Sequence, residues 1–244
     1  MSNKTKKKKK IVIPDKVGDQ VIAHAIHRKL SNRITRILYH TPITPNQVSW
    51  IGFILCAFAA LMFAFGNYTW LVIGAFVLEL GNIFDMVDGD LARAKKMFST
   101  YGHWLDSTLD AILDFGIIIA VTYSVWRARP EMHVWLLGMF ATYFLIEFFI
   151  MSRFFILPYD LPHKEFKKSF GKIGKSKFYN LLYYTRQYHI NLIAIFAILN
   201  QFYILLWCWA IIGNLYWVAY TIWQHKTMRK VFKVKEGKGK NHGN

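Results

Sequence analysis

The residues of this sequence best suited to chemistry are carboxylates spaced along short stretches between apolar segments: Asp85, Asp88, Asp106 and Asp110. At about 100° per residue, the first two lie on neighbouring turns of one helix face, and the last two lie one turn apart on another. Four carboxylates brought close together would repel one another strongly unless a cation held them. Two helices can therefore direct four acidic groups toward one cation.

The type of ligand indicates the kind of ion. Carboxylates without histidine or cysteine partners favour a hard cation, Mg²⁺ or Mn²⁺, and protein-bound Mg²⁺ usually also binds phosphate oxygens of a substrate. Gly89 allows close backbone approach beside Asp88, while Ala92 and Gly102 leave room for a bulky group. The alternative is that the aspartates cap helix ends and that Gly89 ends a helix. Acidic groups in register across two apolar segments favour a metal site, because charge in a membrane is costly.

The overall composition is that of a polytopic membrane protein. Of 244 residues, 54% are hydrophobic, 17% are aromatic and only 18% are charged. A formal net charge of +17 would suggest a nucleic-acid partner in a soluble chain. Here the lysines and arginines lie in the gaps between apolar runs, which indicates attraction to anionic membrane lipids. We therefore expect membrane lipids, and no nucleic acid, as partners.

Six apolar segments follow one another, each near the ~17–25 residues that a membrane-spanning helix needs. They cover residues 48–65, 68–84, 101–126, 133–157, 179–199 and 203–223. Lysine and arginine are concentrated in alternate gaps and at both ends, which predicts cytoplasmic N and C termini in a multi-pass protein of the cell membrane. The aspartates then lie at the cytoplasmic ends of the second and third spans, so the active site is expected at the cytoplasmic face.

The elements that must position these residues divide the chain into four parts by composition. Residues 1–16 are a basic tail expected to be disordered, and residues 226–244 are a second basic tail. In residues 17–40, apolar positions recur at helical spacing, which predicts an amphipathic helix lying in the membrane interface. Residues 41–225 form the predicted six-helix domain. The fold class is all-α: six transmembrane helices preceded by an N-terminal amphipathic interfacial helix.

The stretch from Asp85 to Asp110 has a recognisable pattern. It follows D-x-x-D-G-x-x-A-R, eight further residues, and then G-x-x-x-D-x-x-x-D. This pattern resembles the signature of the CDP-alcohol phosphatidyltransferase family. The resemblance implies a phospholipid-synthesis enzyme that moves a phosphatidyl or related phosphoalcohol group from a CDP-alcohol, such as a CDP-diacylglycerol-like donor, to an acceptor hydroxyl, with release of CMP. Family members are also similar in their interfacial helix and six spans, and the resemblance suggests a homodimer.

The resemblance also implies roles for individual residues. Asp85, Asp88 and Asp106 would bind a pair of divalent ions, Mg²⁺ or Mn²⁺. Asp110 would contribute to the same site and act as the general base. The nucleotide pocket would be lined by five residues from three segments: Asn46, Gly89, Ala92, Arg93 and Gly102.

Basic residues in later apolar segments are candidates for binding a phosphorylated acceptor or a lipid phosphate. Arg186 and His189 share a helix face in the fifth segment, and Arg153 lies near the cytoplasmic end of the fourth. Arginine favours planar, bidentate recognition of phosphate. The alternative is that these arginines extend to the membrane surface, an interpretation that suits Arg153 better than Arg186. Asp114 continues the face of Asp110 one turn further along. Glu79 and Glu147 also lie inside apolar segments, and each is a candidate for pairing with a basic residue in a structural role.

The substrates are left open by the sequence. The segment around Asn46 resembles the branch of the family that contains archaeal inositol-phosphate-transferring synthases, so an inositol-phosphate type of polar transferase is one alternative. The chain departs from that branch after Arg186, where Gln187 takes the place of an expected aspartate. An alternative of another class is a cation-coupled membrane transporter, which would place acidic groups near the membrane midplane. A non-catalytic membrane scaffold recruited by its basic tails is a third hypothesis.

Overall fold

A computed structural model describes residues 22–154 and 186–219, together with residues 221, 222, 225 and 229. All secondary structure in this part of the chain is helical. The helices are α1 (Ile22–Tyr39), α2 (Pro45–Phe65), α3 (Tyr68–Lys95), α4 (Thr100–Ala128), α5 (Met132–Phe154), α6 (Arg186–Ile198) and α7 (Phe202–Ala219). Within α7, residues Cys208–Gly213 form a π-helical segment. The predicted tail at 1–16 and nearly all of that at 226–244 lie outside the described residues.

Among the described residues, four helices are long and apolar enough to cross a membrane. These are α2, α3, α4 and α7. A shorter apolar stretch, Met132–Glu147, belongs to α5. The predicted fourth and fifth spans extend into residues 155–185, which lie outside the described part of the chain. Within the described residues, the structure therefore confirms the all-α class, with four helices whose length and hydropathy are those of a membrane protein.

The start of α2 follows its local sequence. Thr44 caps the helix: the Gln47 backbone N–H donates to Thr44 Oγ1 over 3.4 Å, and the Thr44 N–H donates to Gln47 Oε1 over 2.9 Å. Pro45 occupies the first helical turn, where its missing N–H costs nothing. At the other end, Gly66 adopts φ 72°, a left-handed conformation that glycine tolerates best. The pair Thr44-Pro45, a capping residue followed by a first-turn proline, is therefore the local signal that starts α2.

Close contact between α2 and α3 depends on two glycines. A Cβ atom at Gly52 would lie 3.2 Å from the Gly81 carbonyl oxygen, and one at Gly81 would lie 3.1 Å from that of Gly52 and would also collide with Cys56. Small residues let membrane helices approach at backbone distance. Further along the same helix pair, Val48 packs against Val87 in a buried cluster. The polar side chains at the start of α2 are thereby brought beside those of the second half of α3.

The described residues fall into two compact units. One unit comprises Met1–Ala120 and Thr185–Asn200, and so contains α1, α2, α3, most of α4, and α6. The other comprises Val121–Tyr184 and Gln201–Asn244, with the end of α4, α5 and α7. All four signature aspartates belong to the first unit.

Inside the second unit, helix packing again depends on glycine. A Cβ atom at Gly213 would lie 2.8 Å from the ring of Phe144, and one at Gly138 would lie 2.5 Å from Thr122 Oγ1. Asn214 donates from Nδ2 to the Phe140 carbonyl oxygen over 3.0 Å, which ties α7 to α5.

Candidate functional site

Three of the four signature aspartates form a compact group. One carboxylate oxygen from each of Asp85, Asp88 and Asp106 lies within 4.8 Å of the other two. Asp88 is buried, and the other two are half-buried. Ligand oxygens at about 2.0–2.6 Å from a divalent ion can be separated by up to about 4–5 Å across it. The spacing and the all-oxygen donor set therefore fit Mg²⁺ or Mn²⁺.

Ser49 of α2 supports this group. Its hydroxyl donates to Asp88 Oδ2 over 2.5 Å and also lies 3.3 Å from the carbonyl oxygen of Pro45, one turn earlier. The close packing of α2 on α3 makes this contact possible. No pattern in the sequence marks Ser49 as a functional residue. The signal that could have indicated it is its position one turn after Pro45, at the start of α2.

Arg186, at the start of the described part of α6, contacts three carboxylates. Its Nη2 lies 3.0 Å from Asp110 Oδ1, and its Nη1 lies 3.3 Å from Asp85 Oδ1. Its Nε donates to Asp114 Oδ2 over 3.3 Å, and Asp114 is almost wholly buried at 1% exposure. One guanidinium thus links α3, α4 and α6. Arg186 is therefore in direct contact with the acidic residues of the site.

Asp110 differs from the other three signature aspartates in its surroundings. It stands outside the compact group of carboxylates, and its 3.0 Å contact with Arg186 is shorter than the 3.3 Å contact of Asp85; 20% of the Asp110 side chain is exposed. All four aspartates and Arg186 nevertheless line one cleft of about 350 Å³. The other walls of this cleft are largely apolar or small: Gly52, Phe53, Cys56, Gly81, Leu109, Leu113 and Ile190, together with Ser49 and Asn82.

The residues expected to line a nucleotide pocket are brought together in pairs. A Cβ atom at Gly102 would lie 3.0 Å from Asn46 Oδ1, so the start of α4 meets the start of α2 there. A Cβ atom at Gly89 would lie 3.6 Å from Arg93 Nη1, which places the arginine over the glycine one turn before it in α3. Ala92 is half-buried on the same helix. Because Gly89 and Gly102 have no side chains, Arg93 and Asn46 can lie close to the helix backbone at these two positions.

Three further residues that the sequence suggested for binding or pairing differ in how the structure places them: His189, Arg153 and Glu79. His189 is buried at 1% exposure, one turn after Arg186 on α6. Arg153 lies in the last turn of α5, and its side chain is outside the described part of the structure. Glu79 pairs with a basic residue as predicted, since its Oε2 lies 3.2 Å from His27 Nε2 of α1. Asn82 donates to the same oxygen over 3.3 Å.

Comparison with known proteins identifies the group to which the chain is related. A sequence model described as CDP-alcohol phosphatidyltransferase matches residues 42–223. A bifunctional IPC transferase and DIPP synthase from Archaeoglobus fulgidus is 29% identical over 185 residues, which cover 75% of this chain and 33% of that protein. The protein of the same name from Aquifex aeolicus is 34% identical over 125 residues, covering 50% of this chain and 28% of its own length.

An archaetidylinositol phosphate synthase from Pyrococcus horikoshii is 36% identical over 89 residues, covering 36% of this chain and 46% of that protein. The chain thus matches between about a quarter and a half of the length of these relatives.

A solved structure has a similar fold. It is the crystal structure of Mycobacterium tuberculosis phosphatidylinositol phosphate synthase with CDP-DAG bound, which superposes with a TM-score of 0.58 at 17% sequence identity. The match covers 78% of this chain and 91% of the mycobacterial one. The membership predicted from the signature is confirmed by the family match, which spans every position from Asp85 to Asp110. The chain therefore belongs to the CDP-alcohol phosphatidyltransferase family.

Proposed function

We propose that this protein is a membrane CDP-alcohol phosphotransferase of phospholipid biosynthesis. It moves a phosphatidyl or related phosphoalcohol group from a CDP-alcohol to an acceptor hydroxyl and releases CMP. The observation that carries the proposal is the grouping of Asp85, Asp88 and Asp106, with carboxylate oxygens within 4.8 Å of one another, on the family signature. A transporter would not need the rest of that signature.

The cluster of three aspartate carboxylates is the proposed binding site for divalent metal. Asp85, Asp88 and Asp106 would hold Mg²⁺ or Mn²⁺, in a two-metal site to which Asp110 contributes. When bound, the metal supplies positive charge that neutralises the diphosphate of the donor and the departing CMP. Ser49 holds the Asp88 carboxylate in place through its hydrogen bond.

Asp110 is the proposed general base. Its carboxylate accepts the proton of the acceptor hydroxyl, and Arg186, 3.0 Å away, fixes the position of that carboxylate in the cleft. The two other contacts of Arg186, to Asp85 and Asp114, hold the guanidinium itself in place. Arg186 then offers its planar N–H groups to a phosphate of the acceptor or donor lipid, and Arg153 and His189 stay further candidates for phosphate binding.

The nucleotide is assigned to the cytoplasmic starts of α2 and α4 and to the adjoining part of α3. Asn46 and Gly102 meet at one point of this region, and Arg93 lies over Gly89 at another. The glycines allow the nucleotide to approach the backbone, while Asn46 and Arg93 supply polar contacts. Ala92 completes the set as a small residue on the same helix.

The donor class is supported by the similarly folded mycobacterial protein, whose structure contains CDP-DAG. The acceptor has two candidates. The general proposal is an alcohol hydroxyl, phosphorylated or not. The inositol-phosphate alternative is supported by relatives named for IPC transfer and for archaetidylinositol phosphate synthesis.

The proposed setting is the cell membrane. Six spans, at the predicted segments, would follow the interfacial helix α1 and form a domain over residues 41–225, flanked by basic tails. Four described helices of sufficient length and hydropathy support this arrangement. Cytoplasmic termini, a cytoplasmic active site and a homodimer complete the proposal.

The test is release of CMP by the purified protein. CDP-diacylglycerol would be incubated with inositol phosphate, inositol, glycerol phosphate or serine, in Mn²⁺, Mg²⁺ or EDTA. We expect CMP release that needs a divalent ion and one of the acceptors. Asp106→Asn should abolish it, whereas Glu131→Gln, a neutralised acid 61% exposed in the other unit, should not. If neither CDP-diacylglycerol nor any other CDP-alcohol offered in its place yields CMP under any of these conditions, the proposed function is wrong.

A further inference from the structure

Asp90 is a buried acid inside the signature stretch, at a position where the signature specifies no residue. Its exposure is 0%, and it lies on α3 two residues after Asp88. Both of its carboxylate oxygens accept from Arg28 Nη1 of α1 at 2.9 Å. Oδ2 also accepts from the Ser31 hydroxyl at 2.8 Å, and Oδ1 pairs with Arg93 on its own helix.

A carboxylate removed from water must be compensated by partners, or it destabilises the fold. Asp90 obtains these partners from two helices, so it joins α1 to the cytoplasmic half of α3. It also joins two arginines that would otherwise repel each other, and one of them is a signature residue. Arg28 and Ser31 are sufficient to attach Asp90 to α1. The contact of Asp90 with Arg93 lies within α3 and does not hold α1, so it must have another role.

Arg93 is the member of this network that a ligand can reach. Its side chain is 26% exposed, compared with 11% for Arg28. Its Nη1 and Nη2 lie 3.6 and 3.9 Å from where a Cβ atom of Gly89 would be, so the guanidinium lies over the glycine that follows Asp88. A free arginine side chain has many rotamers, and ordering it on binding weakens the affinity for the ligand. Because Asp90 already holds the Arg93 side chain in one position, this ordering takes place in the protein before any ligand binds.

We infer that Asp90 is a positioning residue for nucleotide binding, which holds the Arg93 guanidinium over Gly89. The inference rests on the proposed function, because that function assigns Gly89 and Arg93 to the nucleotide pocket. Asp90 does not itself contact the nucleotide. Its effect passes through Arg93, and this distinguishes it from an acid that only attaches α1 to α3.

The experiment is a double-mutant cycle measured by CMP binding. Calorimetry with Mn²⁺ and CMP would compare the full-length protein with Asp90→Asn, Arg93→Ala and the double variant. We expect Asp90→Asn to weaken CMP binding about tenfold in the wild-type background and less than twofold when Arg93 is already alanine. An equal loss in both backgrounds would overturn the inference, because Asp90 would then act independently of Arg93.

Two further variants complete the experiment. Arg28→Ala tests whether Asp90 acts by attaching α1 to α3, and Asp90→Glu is used if Asp90→Asn does not fold. Arg28→Ala removes the ion pair between Asp90 and α1, and it leaves the hydrogen bond from Ser31 and the pair of Asp90 with Arg93. It should lower the thermal midpoint and change CMP affinity by less than twofold; a loss as large as that of Asp90→Asn would overturn the inference.

Asp90→Glu retains the buried charge but moves it by one methylene, and its smaller loss of CMP affinity should also vanish in the Arg93→Ala background. If the wild-type protein binds no CMP with Mn²⁺, the proposed function fails before this inference is reached, so the two failures are distinguishable.

Discussion

The guanidinium of Arg186 lies 3.0 Å from the carboxylate of Asp110, so the candidate for phosphate binding on α6 and the candidate base on α4 are in direct contact. The same guanidinium reaches Asp85 on α3 and Asp114 deeper in α4. A fixed positive charge therefore lies within the acidic cluster. Asp110 makes the shortest of these contacts and stands outside the metal-fitting group, whereas Asp85 both contacts this charge and belongs, with Asp88 and Asp106, to the group that fits a metal.

This arrangement predicts different phenotypes for the signature aspartates. Asp110→Asn should lower kcat for CMP release by about 10²–10⁴-fold, because it removes the group that accepts the acceptor's proton. Mn²⁺ affinity, measured by calorimetry, should fall much less than in Asp106→Asn. Full turnover by Asp110→Asn would contradict its role as the base, and equal loss of Mn²⁺ binding in both variants would make it chiefly a ligand.

Arg186 should affect the acceptor more than the nucleotide. Arg186→Lys keeps a positive charge but cannot contact three carboxylates and a phosphate in one plane. We expect kcat/KM for a phosphorylated acceptor to fall about 10- to 100-fold, consistent with losing one charged hydrogen bond at about 1.5–3 kcal/mol. CMP affinity, measured in parallel, should stay within about threefold. A loss confined to CMP binding would argue against the acceptor assignment.

The Ser49 hydroxyl should tune the metal site. Ser49→Ala removes the hydrogen bond to Asp88 Oδ2, and loss of such a supporting partner typically costs 10–100-fold in metal affinity. Mn²⁺ titration by calorimetry or electron paramagnetic resonance checks this directly. Thr142→Ala is the matched control, since Thr142 donates its hydroxyl to the Gly138 carbonyl within α5. Unchanged Mn²⁺ affinity in Ser49→Ala would show that Asp88 needs no support from α2.

The stability of the contact between α2 and α3 should decrease when a single methyl group is added at Gly81. Gly81→Ala places a Cβ atom against Cys56 and 3.1 Å from the Gly52 carbonyl oxygen, and overpacking of this kind costs about 1–3 kcal/mol. Gly116→Ala is the control, because no atom lies within 4 Å of its added Cβ. Thermal unfolding in detergent should show a lower midpoint for Gly81→Ala only. Equal midpoints would mean that the two helices can separate without loss.

Much of this protein follows from local sequence. The cap at Thr44 and the apolar lengths of α2, α3 and α4 depend on residues near one another in the chain, and the structure confirms them. The signature from Asp85 to Asp110 is likewise contained in one short stretch, so it identified the family without knowledge of the packing. The spacing of its aspartates also indicates which of them share a helix face, because helical periodicity determines this, but it does not determine that the two faces meet.

The contacts made by single side chains across helices required the tertiary structure. Asp110 and Arg186 are separated by most of α4, all of α5 and the residues that follow, and nothing in the local pattern of either determines that they touch. Asp90 resembles an ordinary surface acid in sequence, yet it is wholly buried, because α1 brings Arg28 and Ser31 to it. Periodicity indicates which face of a helix is polar, whereas the partner of that face depends on how helices distant in sequence pack.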